Sequence, residues 1–172
     1  QVLGVTLQLY NNNSEISKKK SCCAGQDIYD AKRVAEFIGI RHYVFDYESK
    51  FNNSVIEPFI NSYTKGNTPI PCVLCNQGVK FSNLLETAKQ LGVDAMATGH
   101  YIRRINKNGL VGLYRAYDKS KDQSYFLFAT TKKQLEFLRF PLGDLSKSEV
   151  RSLSAEYGLI VSDKPESQDI CF

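Results

Sequence analysis

Two cysteine stations stand far apart in this chain. Thr68-Pro69-Ile70-Pro71-Cys72-Val73-Leu74-Cys75-Asn76 lies in the middle, and Glu166-Ser167-Gln168-Asp169-Ile170-Cys171-Phe172 lies at the end. The C-x-x-C spacing of Cys72 and Cys75 suits a metal knuckle or a redox pair, and equally a pair of half-buried structural thiols. Proline fixes φ and removes a backbone donor, so Pro69 and Pro71 predict an extended, loop-like display of both thiols. Asn76 would then cap a following helix, leaving Cys75 beside a helix N-terminus, where partial positive charge favours thiolate. With Cys22, Cys23 and Cys171 the chain has five cysteines, an odd set too sparse for a secreted disulfide scaffold. In a reducing compartment such a set points to metal or redox chemistry. The adjacent Cys22 and Cys23 read as structural packing, with completion of a metal site as the alternative.

Other groups could assist. His100 follows Thr98-Gly99 at the end of an expected strand, where open α/β sheets place their ligands. His42, inside Arg41-His42-Tyr43-Val44-Phe45, reads as a satisfied structural histidine. Lys119-Ser120-Lys121-Asp122-Gln123-Ser124-Tyr125 mixes cationic, amide and aromatic groups that can contact phosphates and stack on bases, though such a stretch is often only a solvated loop. Arg103, Arg104, Lys107 and Arg115 lie close in sequence and suggest a basic surface beside it. No G-x-x-x-x-G-K-[ST] or G-x-G-x-x-G occurs, so the residues alone do not support nucleotide binding.

The elements that must position these groups follow from periodicity. Val5, Leu7 and Leu9 alternate as a strand, and Asn11 to Lys20 reads as a mobile loop. Ile28, Ala31, Val34, Ala35 and Ile38 recur at helical spacing, with Asp27 in the first turn and Gly39 as the stop. His42 to Tyr47 is a short strand. Val55, Phe59, Ile60 and Tyr63 predict a helix ending near Gly66, and Phe81, Leu84, Leu85, Ala88 and Leu91 another ending at Gly92, with the two cysteines in the loop between. Asp94 to Thr98 is a strand. Tyr101 to Ile105 and Leu110 to Tyr117 form a hairpin around Asn106-Lys107-Asn108-Gly109. Lys132 to Leu138 and Ser146 to Tyr157 are helical, the latter opened by a Ser146/Glu149 capping box, and Cys171 sits in a loop entering a strand. The order of strands and helices is that of an α/β fold, a parallel sheet covered on both faces, with a hairpin and helical extension.

Composition sets the frame. A chain of 172 residues with 42% hydrophobic and 23% charged residues supports one globular domain over 1–172. The net charge of +4 is compatible with a polyanionic partner without requiring one. No apolar run is long enough to span a membrane and Gln1 to Leu9 does not read as a signal peptide, so the expected compartment is the cytoplasm.

Taken in order, Thr68 to Asn76, Ala97-Thr98-Gly99-His100-Tyr101, Ser120 to Leu127 and Ser167 to Phe172 resemble the motifs of the tRNA-specific 2-thiouridylases (the MnmA/TrmU type). Cys22-Cys23, Asp27, Asp30 and Ala31 extend the likeness over essentially the whole chain. The resemblance implies a Rossmann-like domain of the ATP-pyrophosphatase (PP-loop) type that uses ATP, with Mg²⁺, to adenylate the 2-carbonyl of a wobble uridine in tRNA. Sulfur would then come from a cysteine persulfide charged by a cysteine desulfurase or relay protein. By position Cys171 would carry the persulfide and Cys75 would be the partner thiol that closes a disulfide with it. Ile70, Pro71 and Cys72 would touch the target base; His100, Lys121, Asp122 and Gln123 would contact tRNA; Leu7 and Gly99 would lie near the adenine nucleotide.

Two departures accompany the likeness. The family's S-G-G-x-D-S loop would precede Gln1 and its C-terminal β-barrel would follow Phe172, so the chain reads as a fragment, inactive by itself. Cys72 stands where some members carry an aspartate. That puts three thiols, Cys72, Cys75 and Cys171, in potential reach of one another, enough for an iron–sulfur cluster as the sulfur carrier. A non-catalytic zinc-stabilised RNA-binding domain is the alternative of another class.

Overall fold

The structure, a computed structural model, describes residues 1–10, 25–165, 170 and 172. It resolves into two compact units: Gln1–Pro69 with Arg151–Phe172, and Ile70–Val150. The expectations for Asn11 to Lys20, Cys22, Cys23 and Cys171 fall outside the described residues.

In the first unit β1 (Leu3–Gln8) pairs in parallel with β2 (Arg41–Asp46), from Leu3 opposite Arg41 to Gln8 opposite Asp46. Parallel neighbours need a crossover, and α1 (Gly25–Phe37) lies between them in sequence, with Asp27 in its first turn. Gly39 follows in the left-handed region at φ 74°, the conformation that ends a helix cheaply only at glycine. His42 is held structurally, as its sequence suggests, by a 2.9 Å hydrogen bond between its Nε2 and Thr6 Oγ1. A continuous helix α2 (residues 48–63) follows, with wider π-type turns over Asn52–Ile56. It buries Phe51 and Val55, while Leu7, Leu9, Ala35 and Tyr47 are the other buried apolar residues among those described here.

The chain flanking the second cysteine station is tied down within this unit. Lys164 Nζ donates to Asp27 Oδ1 and Asp30 Oδ2, both at 2.5 Å, bridging the first turns of α1. Phe172, the residue after Cys171, meets Phe51 and Phe59 edge-on at 5.7 and 5.4 Å between ring centroids.

The second unit opens with α3 (residues 71–90), a single helix whose middle, Cys75–Leu84, has π-type turns. Here the sequence reading is corrected: Pro71 is not part of a loop but the first helical residue, and Cys72 and Cys75 are helical. The same fixed φ and missing donor that break a helix interior suit its first position, where the N–H would lack an intrahelical partner anyway. After Gly92 (φ 74°) come β3 (Met96–Ala97) and β4 (Ile102–Lys107). β4 turns through Asn108 (φ 53°) and Gly109 (φ 82°) into antiparallel β5 (Leu110–Arg115). Two central residues with positive φ are what a two-residue hairpin requires.

Next come α4 (Ser124–Leu127), α5 (Lys132–Phe137), β6 (Leu138–Arg139) and α6 (Lys147–Glu156), the last crossing from the second unit to the first. Leu138, expected at the end of a helix, instead pairs in parallel with Met96 in a two-residue strand and is fully buried. The Ser146/Glu149 box forms: Glu149 N–H reaches Ser146 Oγ at 3.2 Å and Ser146 N–H reaches Glu149 Oε2 at 2.7 Å. The core gathers Phe81, Leu85, Ile102, Leu127, Leu135, Leu138 and Phe140. Parallel strand pairs with helices make this an α/β protein. Among the described residues no helix is long and apolar enough to cross a membrane.

Candidate active site

The first turns of α3 present the middle cysteine station. Ile70 is the N-cap residue, Pro71 is buried behind it, and Cys72 occupies the second helical position, half-buried. The positive end of the helix therefore lies beside Cys72. Cys75, assigned that place from sequence, is a turn further on: its backbone N–H already donates back to Pro71 O, and it is buried.

Asn76 is not a cap. It is 4% exposed, and its Nδ2 donates to Phe126 O at 3.2 Å, fastening the cysteine helix to the segment Ser120 to Leu127. Its Oδ1 is buried with no hydrogen-bond partner among the described residues. A buried carbonyl left in that state is costly, so this atom is a place where a bound group could donate.

Phe81 of the same helix holds His100, ring centroids 5.9 Å apart and planes at 68°. Thr98 Oγ1 meets His100 Nδ1 at 2.7 Å. Burial, aided by the positive charge of Lys80, pushes the His100 pKa down to about 3. At neutral pH the imidazole is therefore uncharged, a hydrogen-bonding group rather than a phosphate-binding cation.

This shift has a measurable consequence. Between pH 6.5 and about 3 the unfolded chain binds a proton that the folded His100 refuses, so this group lowers stability as pH falls through that window and is neutral above it. In urea unfolding from pH 6.5 to 5, the wild type is expected to lose at most about 2 kcal/mol more than His100→Gln, from about 1.4 kcal/mol per pH unit. Equal losses in the two proteins would show that His100 titrates as if exposed.

The loop before α4 is bound to the same place. Gln123 Oε1 accepts from Tyr101 N–H at 2.8 Å and Gln123 N–H donates to Tyr101 O at 3.0 Å, a reciprocal clasp on the residue after His100. Burial pushes the Asp122 carboxyl up, and bonds from Ser124 Oγ, Ala116 N–H and Arg115 outweigh it, holding the group below its ordinary range. Asp122 thus organises the loop as an anion. Lys121 N–H donates to Asp118 O at 3.1 Å, and its side chain is half-buried. Of the expected basic surface, Arg104 Nε is spent on Leu135 O and Arg103 Nε on Arg115 O, both at 2.8 Å.

The second unit therefore gathers Ile70, Pro71, Cys72, Cys75, His100, Lys121, Asp122 and Gln123 through Asn76, Phe81 and Tyr101. Gly99, also in this unit, is exposed after β3; among the described residues a Cβ there would meet only Leu142 Cδ1, at 3.7 Å, so its backbone is open to a ligand. Leu7, buried near the C-terminal end of β1, belongs to the first unit, and Cys171 lies outside the described residues. The roles of Asn76 and Phe81 escaped the sequence reading because their partners lie far away in the chain.

Sequence comparison matches residues 1–172 to the model of the tRNA methyl transferase HUP domain. The chain belongs to this family. Its α/β architecture is that of the HUP domain, a Rossmann-like fold. Similar HUP-family relatives are tRNA-specific 2-thiouridylases MnmA: 61% identity to that of Rickettsia massiliae and 64% to that of Maricaulis maris, each over 171 residues. The alignments cover 99% of this chain and 47% and 42% of those proteins, so the chain spans about half the length of the curated relatives it matches.

Proposed function

We propose that this chain serves in tRNA 2-thiolation, converting the 2-carbonyl of a wobble uridine to 2-thiouridine at the expense of ATP. The observation that carries the reading is the fastening of the Cys72/Cys75 helix to His100 and to the Lys121-Asp122-Gln123 loop, which unites three of the four motifs in one unit. ATP, with Mg²⁺, supplies the leaving group by adenylating the carbonyl oxygen, and the family motifs assign Leu7 and Gly99, each in its own unit, to positions near the adenine nucleotide.

A persulfide on Cys171, charged by a cysteine desulfurase or relay protein, attacks C2 with its terminal sulfur, and AMP departs. The Cys75 thiolate then attacks Cys171 Sγ. The sulfur–sulfur bond breaks, its electron pair stays with the sulfur on C2, and a Cys75–Cys171 disulfide forms; an external dithiol returns two electrons to restore both thiols. Ile70, Pro71 and Cys72 meet the target base. His100, Lys121, Asp122 and Gln123 face tRNA, with His100 as a neutral hydrogen-bonding group.

Incubating the full-length protein that contains residues 1–172 with ATP, Mg²⁺, cysteine desulfurase, cysteine, dithiothreitol and a tRNA transcript, then digesting the RNA for mass spectrometry, is the test. ATP-dependent 2-thiouridine is expected. Methylated nucleoside formed with a methyl donor, and no thiolated product, would overturn the reading. Iron and sulfide in stoichiometric amounts, required for activity, would transfer sulfur carriage from the persulfide to a cluster.

A further inference from the structure

Beside the β4–β5 hairpin the second unit has an open groove of about 830 Å³, and Asp122 is the one residue of its lining that the function proposed above already uses. Leu113 and Leu135 are among its apolar lining. Three cations, Arg115, Lys119 and Lys132, also line it. Asp122 is the one acid that does so among the described residues, and its side chain is only 8% exposed and engaged by Ser124, Ala116 and Arg115. The groove therefore presents net positive charge. Two aromatic side chains border it, Tyr125 and Phe128, at 61% and 68% exposure. Large rings left this open are not core residues, and among the described residues Tyr125 has a ring contact only with its edge-on neighbour Phe126.

A polyanion with planar apolar faces fits this combination. Phosphates answer the lysines, and unpaired bases stack on the rings whatever their identity, because every base has a π-face. A duplex offers the charge but keeps its bases inside the stack, and a peptide does not combine a regular row of anionic charge with a planar ring at every residue. We infer that this groove binds an unpaired stretch of RNA, with Tyr125 and Phe128 as stacking platforms and Lys119 and Lys132 as phosphate contacts. The inference rests on tRNA being the substrate and adds a second holding point, next to the loop carrying Gln123, for nucleotides flanking the modified base.

The full-length protein and its variants are titrated with a fluorescent anticodon stem-loop and with a fully paired hairpin of equal length whose strands are joined by a non-nucleotide linker, over a range of salt. Tyr125→Ala with Phe128→Ala is expected to weaken stem-loop binding by at least about tenfold, to leave the salt slope unchanged, and to abolish the preference over the paired hairpin. Tyr125→Trp should retain binding. Lys119→Gln and Lys132→Gln should each lower the salt slope by about one. These side chains are exposed, and unchanged melting curves exclude misfolding. Wild-type affinity in the aromatic double variant overturns the inference, as does competition by ATP for the stem-loop or an equal loss of binding to the paired hairpin. Thiolation that fails in the wild type while these binding differences persist would count against the proposed reaction and not against the groove.

Discussion

Cys75→Ser in the full-length protein is expected to reduce 2-thiouridine formation, in a single turnover without external dithiol, by roughly a thousandfold or more while leaving tRNA binding and folding intact. Loss of a reacting nucleophile has effects of this size or larger. Serine is close in volume to cysteine and occupies a helical position whose backbone bond to Pro71 O is unaffected. A hydroxyl does not break the sulfur–sulfur bond. The reaction should therefore halt after AMP release, leaving tRNA joined to Cys171 through a disulfide that migrates as a slow band and collapses on adding dithiothreitol. Cys171→Ser should be equally inactive but form no such adduct. If Cys75→Ser thiolates normally while Cys72→Ser is inactive with the trapped band, the resolving thiol is Cys72, the half-buried residue at the positive end of α3.

That competition between two thiols shows how far the sequence could be read. Signals confined to a few neighbouring residues were legible. Gly39 and Gly92 stop helices because left-handed φ is cheap there, Asn108-Gly109 makes the hairpin turn, and Ser146 and Glu149 cap reciprocally. Pro71 was ambiguous, since one chemistry either excludes a helix or begins it, and the deciding contacts come from the burial of Val73, Val79, Phe81 and Leu85 along the ensuing helix. Asn76 looked like a cap because short amides favour helix starts. Its partner, Phe126 O, is fifty residues away, and no local pattern announces it. The clasp of Gln123 on Tyr101 and the seating of His100 on Phe81 are likewise long-range, so the motifs could be found from the sequence but the fastening of one to another could not.

Gly143 is the plainest case of such hidden constraint, and Gly143→Ala is expected to destabilise the protein by roughly 3 kcal/mol, lowering Tm on the order of 10 °C. Its φ needs no glycine; space does. A Cβ there would lie 2.1 Å from Ile102 O and 2.8 Å from Ile102 C, backbone atoms of a fully buried residue in β4. Neither side can yield cheaply. Gly143 O accepts Tyr117 N–H at 2.9 Å and Gly143 N–H donates to Phe140 O at 3.2 Å, while Ile102 N–H donates to His100 O at 3.0 Å. Displacing Ile102 therefore also disturbs the backbone that carries His100, so activity should fall along with stability. Gly99→Ala provides the contrast: its Cβ would make one ordinary contact, with Leu142 Cδ1 at 3.7 Å, and its melting temperature should stay within about 2 °C of wild type. Calorimetry of the two variants decides the matter, because equal melting temperatures would mean that the loop at Gly143 moves aside freely and that the close approach to β4 does not hold His100 in place.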